Sequence, residues 1–268
     1  YEAGKLAAYG YGRFANVVTS IQFERILSAS GPFQGEVLRP SDSKHPKKIA
    51  WIQCAGSRNM IGTEGNEYCS SICCMYAIKE AIIAREHQSD VEPTIFYMDI
   101  RAHGKGFDAY YERAKEEHCV RFVRSMVSRV AERPQSKNLM IVYVDAENQL
   151  QEEEFDLVVL SVGITPSKGA TEIARKLGIE VDTYGFCKTG VFSPLDTSRP
   201  GIHACGTFQG PKDIPETVMQ ASAAKMHAHR IESVRGELSS HGEAMNAARN
   251  ADAVINCADA SDPFVVAA

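Results

Sequence analysis

The 268-residue sequence contains no apolar run near the roughly 20 residues that a membrane-spanning helix requires, so nothing in it is expected to cross a bilayer. The N-terminus lacks the charged-then-apolar pattern of a signal peptide, and it opens on Tyr1 rather than Met, which points to a truncated or processed start. There is no basic surplus either. A net charge of -5 and a pI near 5.9 argue against nucleic acid or an anionic membrane as the main partner. Internal repeats, low-complexity tracts and ferredoxin-type C-x2-C-x2-C-x3-C motifs are absent. The histidines show no H-x3-H pairing, and His227 and His229 read as surface residues of a polar helix.

What is present is ordinary globular usage, 44% hydrophobic and 24% charged, enough for one large domain or two smaller ones. Eight cysteines in a non-secreted, cytoplasmic chain point to reduced thiols or metal ligands rather than to a disulfide framework. Cys119, Cys187, Cys205 and Cys257 are isolated and read as small buried hydrophobes.

From about 46 to 166, β-branched runs alternate with helix-period segments, which predicts an α/β, Rossmann-like domain with a parallel sheet. The runs IAWIQC, TIFYMDI, VRFV, LMIVYVDA and FDLVVLSVG read as strands. SSICCMYAIKEAIIAREHQ and GFDAYYERAKEEHC read as helices. ATEIARKLG is a short helix closed by Gly178, and a last long helix begins near Ile214 and runs to about Gly236. Four segments result: 1–45 as connector, 46–166 as an inserted domain, 167–236 as a third piece, and a tail, 237–268, of no assigned structure or function.

The remaining cysteines, Cys54, Cys69, Cys73 and Cys74, fall within 21 positions as C-x14-C-x3-C-C. Cys54 ends a strand, and the other three lie at the start of a helix, where Ser70 and Ser71 are candidate caps. Free N–H groups and the positive dipole end there are expected to lower thiolate pKa and to stabilise an anionic [4Fe–4S] core. The alternatives are four incidental buried residues, a structural zinc, and a redox disulfide between Cys69 and Cys74. Zinc sites usually show paired C-x2-4-C knuckles, which are missing. A disulfide would leave Cys54 and Cys73 without a role.

In a nucleotide-binding βαβ unit the first strand runs into G-x-G-x-x-G, which seats a pyrophosphate against the helix N-terminus. Here KKIAWIQ runs into Cys54-Ala55-Gly56-Ser57-Arg58, with one glycine at the turn. The expectation is a Rossmann-like unit that has exchanged its nucleotide for a metal cluster.

Two further stretches, FDLVVLSVGITPS and TSRPGIHACGT with FQGPKDIPETVMQASAA, resemble the segments by which flavin-dependent disulfide reductases of the thioredoxin reductase type return to and complete their FAD domain. With YGYGRFANVVTSIQFERILSASGP, KKIAWIQCAGSR, YCSSICCMYAIKEA and MDIRAHGKGF, they make the chain similar to the A subunit of heterodisulfide reductase from about residue 8 to 228. The resemblance implies an oxidoreductase with FAD and [4Fe–4S] clusters, in which 1–45 would be part of the FAD domain and a connector and 167–236 the C-terminal part of the FAD domain, working with other subunits of an electron-transfer complex, and a homodimer is compatible with it. Cys54, Cys69, Cys73 and Cys74 would be metal ligands. Gly163, Gly206, Thr207, Lys212, Asp213 and Ile214 would contact FAD, with Thr207 standing where the disulfide reductases of the thioredoxin reductase type carry aspartate. Lys79 would approach the flavin N5 as a catalytic proton donor, although it reads equally as a solvated helix lysine. Arg101 and Lys105 are polar positions within the motifs. The N-terminal FAD glycine motif is missing, and the tail after about 236 does not match. A non-catalytic interaction module and a pyridine-nucleotide disulfide oxidoreductase remain the other readings.

Overall fold

The computed structural model describes residues 3–59, 65–228 and 254–256. It divides into two compact units, Tyr1–Gly163 and Ile164–Ala268, each described by itself. The first carries a five-stranded parallel sheet: β1 (Val17–Thr19), β2 (Lys48–Ala55), β3 (Glu92–Tyr97), β4 (Arg121–Arg124) and β8 (Leu157–Val162). Their spatial order is β1-β8-β2-β3-β4. Between β4 and β8 an antiparallel meander, β5 (Val127–Glu132), β6 (Leu139–Val144) and β7 (Leu150–Phe155), forms a second sheet.

Helices α1 (Ser20–Leu27), α2 (Cys73–His87) and α3 (Phe107–Glu116) cover one face of the parallel sheet. Strand side chains alternate across the sheet, and the core follows that period of two. Ile49, Trp51, Leu157 and Val159 pack with Phe23, Ile78 and Ile82 on the helical side. Ala50, Ile52, Val158 and Leu160 pack with Ile141 and Phe155 on the meander side. The outcome is three layers and the α/β, Rossmann-like fold expected.

All five expected strands are present, but LMIVYVDA forms β6 of the antiparallel meander rather than a strand of the parallel sheet, and the helix at 73–87 is buried over more than a stripe. Residues 1–45 belong to the same compact unit. They supply β1, which pairs with β8, and α1, whose start is a capping box between Thr19 and Gln22. The meander strands β5 and β7 were not read from the sequence.

The second unit holds α4 (Ala170–Leu177), closed by Gly178 in the left-handed conformation as expected, then β9 (His203–Cys205) and α5 (Ile214–Ala228). Residues Val254–Asn256 form β10, parallel to β9. The remainder of the 237–268 tail, the helix beyond 228, His229 and Cys257 lie outside the described residues. Among the described residues no helix is long and apolar enough to cross a membrane.

Candidate functional site

Cys54 lies at the end of β2, and Cys69, Cys73 and Cys74 lie just before and at the start of α2. From β2 the chain moves through α2 to β3 and through α3 to β4 on one side, and it returns as β8 on the other. The C-terminal ends of β2 and β8 therefore flank the switch point at which open α/β sheets bind their ligands. The registers Ile52↔Leu160 and Ala55↔Val162 leave one extra residue on β2, a bulge that re-aims the strand end. Cys54 lies in it with φ 57°, and the turn continues through Gly56 (φ 74°) to Arg58 (φ 55°). Ser71, just before α2, is left-handed as well (φ 61°). Left-handed backbone at non-glycine residues costs on the order of 1–3 kcal/mol each and tends to be concentrated at functional sites.

Cys73 and Cys74 open α2 and are buried. Cys54 and Cys69 are half-buried. The Cys73 thiol donates to the Val162 carbonyl at 3.6 Å, and the Cys74 thiol to the Asp99 carbonyl at 3.7 Å. Cys69 Sγ accepts the Ser71 N–H at 3.3 Å. The thiols lie near enough to act on one another's ionisation. Burial pushes Cys54 up to about 11, with Cys74 and Cys69 adding to the rise against the opposing Arg58 charge. Burial likewise pushes Cys73 to about 12 and raises Cys74. Desolvation and mutual repulsion thus leave these thiols raised rather than lowered. Ser70 and Ser71 do not cap α2 either. Its N-cap is Ile72, without a side-chain cap bond.

Gly163, directly after β8, sits against the same site. A Cβ there would meet Ser70 Oγ at 2.1 Å and Ser57 Oγ at 2.4 Å. Ser57 Oγ, Ser161 Oγ and both amide atoms of Gln53 are buried without a hydrogen-bond partner. Orphaned polar groups of this kind cost free energy unless a ligand or water satisfies them. A cavity of about 170 Å³ lies beside the turn, lined by Tyr9, Gln53, Cys54, Arg58, Phe96 and Met126 among others. Among the described residues no group of three or more His, Cys, Asp or Glu is arranged so that it could hold a metal ion.

Lys79 is on α2, half exposed, and its ammonium pairs with Glu24 of α1 at 2.7 Å. Gly206, Thr207, Lys212, Asp213 and Ile214 gather in the second unit, where Gly206 (φ 66°) donates its N–H to Gln220 Oε1 at 3.0 Å. Lys212 donates to Gln209 and Gln220, and burial lowers its pKa. The Asp213 carboxylate accepts the Glu216 N–H at 2.7 Å while Glu216 accepts the Asp213 N–H at 3.2 Å, a capping box for α5. Ile214 is exposed. Arg101 lies 3.6 Å from Asp99. Of the isolated cysteines, Cys187 and Cys205 are buried as expected, but Cys119 is exposed, three residues beyond the end of α3, with φ 51°.

Sequence reasoning did not single out Gln53, Ser161, Asp99 or Glu80. Their signal lay in position: Gln53 and Ser161 each immediately precede a strand-end residue of the site, and Glu80 interrupts an apolar helix face.

Similarity to known proteins agrees with this geometry. The chain is 47% identical over 223 residues, 82% of its length, to the second of the iron-sulfur A subunits of CoB–CoM heterodisulfide reductase from Methanopyrus kandleri, of which it covers 34%. It is 40% identical, over 89% of its length, to the A subunit of the H2:CoB–CoM heterodisulfide, ferredoxin reductase of Methanothermobacter marburgensis, of which it covers 36%. It is 36% identical, over 96% of its length, to the A subunit of the ferredoxin/F420H2-dependent CoB–CoM heterodisulfide reductase of Methanosarcina acetivorans, of which it covers 32%. The chain thus spans about a third of the curated relatives it matches, and the resemblance to heterodisulfide reductase is borne out. The pyridine nucleotide-disulphide oxidoreductase family matches residues 74–228, more than half of the chain. A parallel sheet covered by helices and a match of this extent lead to one conclusion: the chain belongs to the pyridine nucleotide-disulphide oxidoreductase family.

Proposed function

We propose that this chain is the part of a heterodisulfide-reductase-like A subunit in which a [4Fe–4S] cluster, ligated by Cys54, Cys69, Cys73 and Cys74, occupies the place of a nucleotide's phosphates. It would exchange electrons between FAD and other subunits of an electron-transfer complex. The observation that carries this reading is that Cys54 at the end of β2 and Cys69, Cys73 and Cys74 at and before the start of α2 act on one another's ionisation, where the glycine loop of a nucleotide site would otherwise stand.

The donor set fits. Four thiolates are the usual ligands of a cubane, and each binds its own iron, so the sulfurs stand farther apart than the ligands of one ion, about 2.3 Å from a single zinc. Metal binding displaces the thiol protons that burial now retains. Ser57, Ser161 and Gln53 offer buried donors beside the thiols. Tyr76 donates to the Val162 carbonyl at 2.5 Å, which holds the end of β8 against α2. Bound there, the cluster supplies one-electron chemistry at a potential set by charge, hydrogen bonds and burial.

For FAD, Gly206 and Thr207 offer backbone approach, and the positive end of α5 near Ile214 favours negative charge on a reduced ring. Lys212 and Asp213 hold that end in place. Lys79 would be the proton donor at the flavin N5; its solvent-exposed ion pair with Glu24, worth about 1 kcal/mol or less, would open for it to do so.

Anaerobic reconstitution followed by iron, sulfide and flavin analysis tests the reading. Iron and sulfide bound in equal amounts with a broad visible absorption support it. A colourless, iron-free and flavin-free chain would leave a non-catalytic module.

A further inference from the structure

Arg58 stands four residues after Cys54 on a turn that the backbone fixes. Its N–H donates to the Tyr68 carbonyl at 3.2 Å, the neighbouring Asn59 N–H to the Asn66 carbonyl at 3.0 Å, and Ser57 bridges Asn66. From this turn Arg58 Nη1 reaches Asp99 Oδ1 at 2.5 Å, beyond the end of β3. Arg101 Nε approaches the same oxygen at 3.6 Å. Burial works against the Asp99 carboxylate, yet the two guanidinium groups hold it below the ordinary carboxylate range. The backbone carbonyl of Asp99 is the acceptor for the Cys74 thiol. The Arg58 charge is also near enough to the Cys54 thiol to oppose the rise in its pKa. One ion pair thus joins the surroundings of two of the four cysteines, and it places a permanent positive charge beside them.

We propose that Arg58, held by Asp99, is a positioning residue that sets how readily the cysteine-bound cluster is reduced. This rests on the cluster reading above. Adding one electron to a thiolate-ligated cluster adds one negative charge, and a fixed guanidinium beside a ligating sulfur stabilises that charge in a partly buried site. A planar guanidinium can serve the carboxylate and the sulfur together, which a point-like ammonium cannot do as well.

Potentiometric titration of the anaerobically reconstituted full chain, followed by EPR, tests the proposal on wild type, Arg58→Gln, Arg58→Lys and Asp99→Asn. Arg58→Gln is expected to make reduction about tenfold less favourable, a downward shift of about 59 mV for one electron, with iron content retained. Arg58→Lys keeps the charge and should stay within about threefold of wild type. Asp99→Asn removes a negative charge but leaves an oxygen to accept from Arg58, so the potential should rise. Equal potentials in wild type and Arg58→Gln would overturn the proposal while leaving the cluster reading intact. If Arg58→Gln loses its iron, Asp99→Asn decides: an unchanged or lowered potential overturns the proposal. A wild-type chain that takes up no iron overturns the cluster reading, and this inference with it.

Discussion

Trp51 of β2 and Glu80 of α2 meet inside the first unit, the indole N–H donating to Glu80 Oε2 at 2.8 Å, with neither residue exposed to solvent. Burial raises the Glu80 pKa well above its ordinary 4.5, so the carboxyl is held neutral. Phe23 packs edge-on against the same indole at 5.4 Å, so the pair lies where α1, α2 and the sheet join.

The sign of the resulting pH dependence follows from linkage. Above pH 4.5 the unfolded chain releases the Glu80 proton while the folded chain keeps it, so stability is lost as pH rises toward the raised folded value. Glu80→Gln keeps the oxygen for Trp51 and removes the titration. Its stability relative to wild type should increase by about 1.4 kcal/mol per pH unit over that window, read as unfolding midpoints at successive pH values. A constant difference between the two proteins would contradict the assignment.

Gly163→Ala places a methyl against Ser70 and Ser57 in the cysteine site. The overpacking should cost about 1–3 kcal/mol and lower iron retention after reconstitution. Gly169→Ala, where a Cβ meets nothing within 4 Å, is the control and should change neither. Chemical denaturation and iron analysis of both variants check this.

Arg39 ties the segment before β2 to the turn between β5 and β6. It donates to Asn138 Oδ1 and to the Ser136 carbonyl, each at 2.7 Å, and it stands 3.6 Å from Asp156, all in a side chain 7% exposed. Arg39→Ala should destabilise the first unit by about 1–3 kcal/mol, because the half-buried Asn138 and Asp156 lose their donor and counter-charge. A near-neutral effect in denaturant titration would show that residues 1–45 are dispensable to that unit.

Asp213 caps α5. Asp213→Ala should cost about 1 kcal/mol, and Asp213→Asn, an equally good cap, only a few tenths. Flavin binding by the asparagine variant separates the cap from a ligand role: unchanged affinity fits a residue that only holds the helix end, and a large loss fits a carboxylate that touches the cofactor.

Four of the five parallel strands, β2, β3, β4 and β8, were legible as apolar runs, and α4 because Gly178 closes it, whereas β1, three residues long, was not. The meander was harder to read. In β7 the sequence Leu150–Phe155 presents three consecutive glutamates, and only pairing with β6 makes it a strand. α1 carried a readable signal in Thr19 and Gln22. The cysteine quartet was visible as spacing, but the sequence suggested thiols activated by a capped helix. The fold supplies a bulge, an uncapped helix start and thiols whose protons burial retains. Arg58 and Asp99 lie 41 residues apart, and only the adjacency of β2 and β3 brings them together.

Iron and acid-labile sulfide per chain, with the EPR spectrum of the dithionite-reduced protein, test the central claim most directly. The wild-type chain should hold about four of each. The reduced-cluster signal should be lost in Cys54→Ser, Cys69→Ser, Cys73→Ser and Cys74→Ser, and retained in Cys119→Ser. Iron content unaffected by any of the four substitutions, or one zinc and no sulfide per chain, would contradict it.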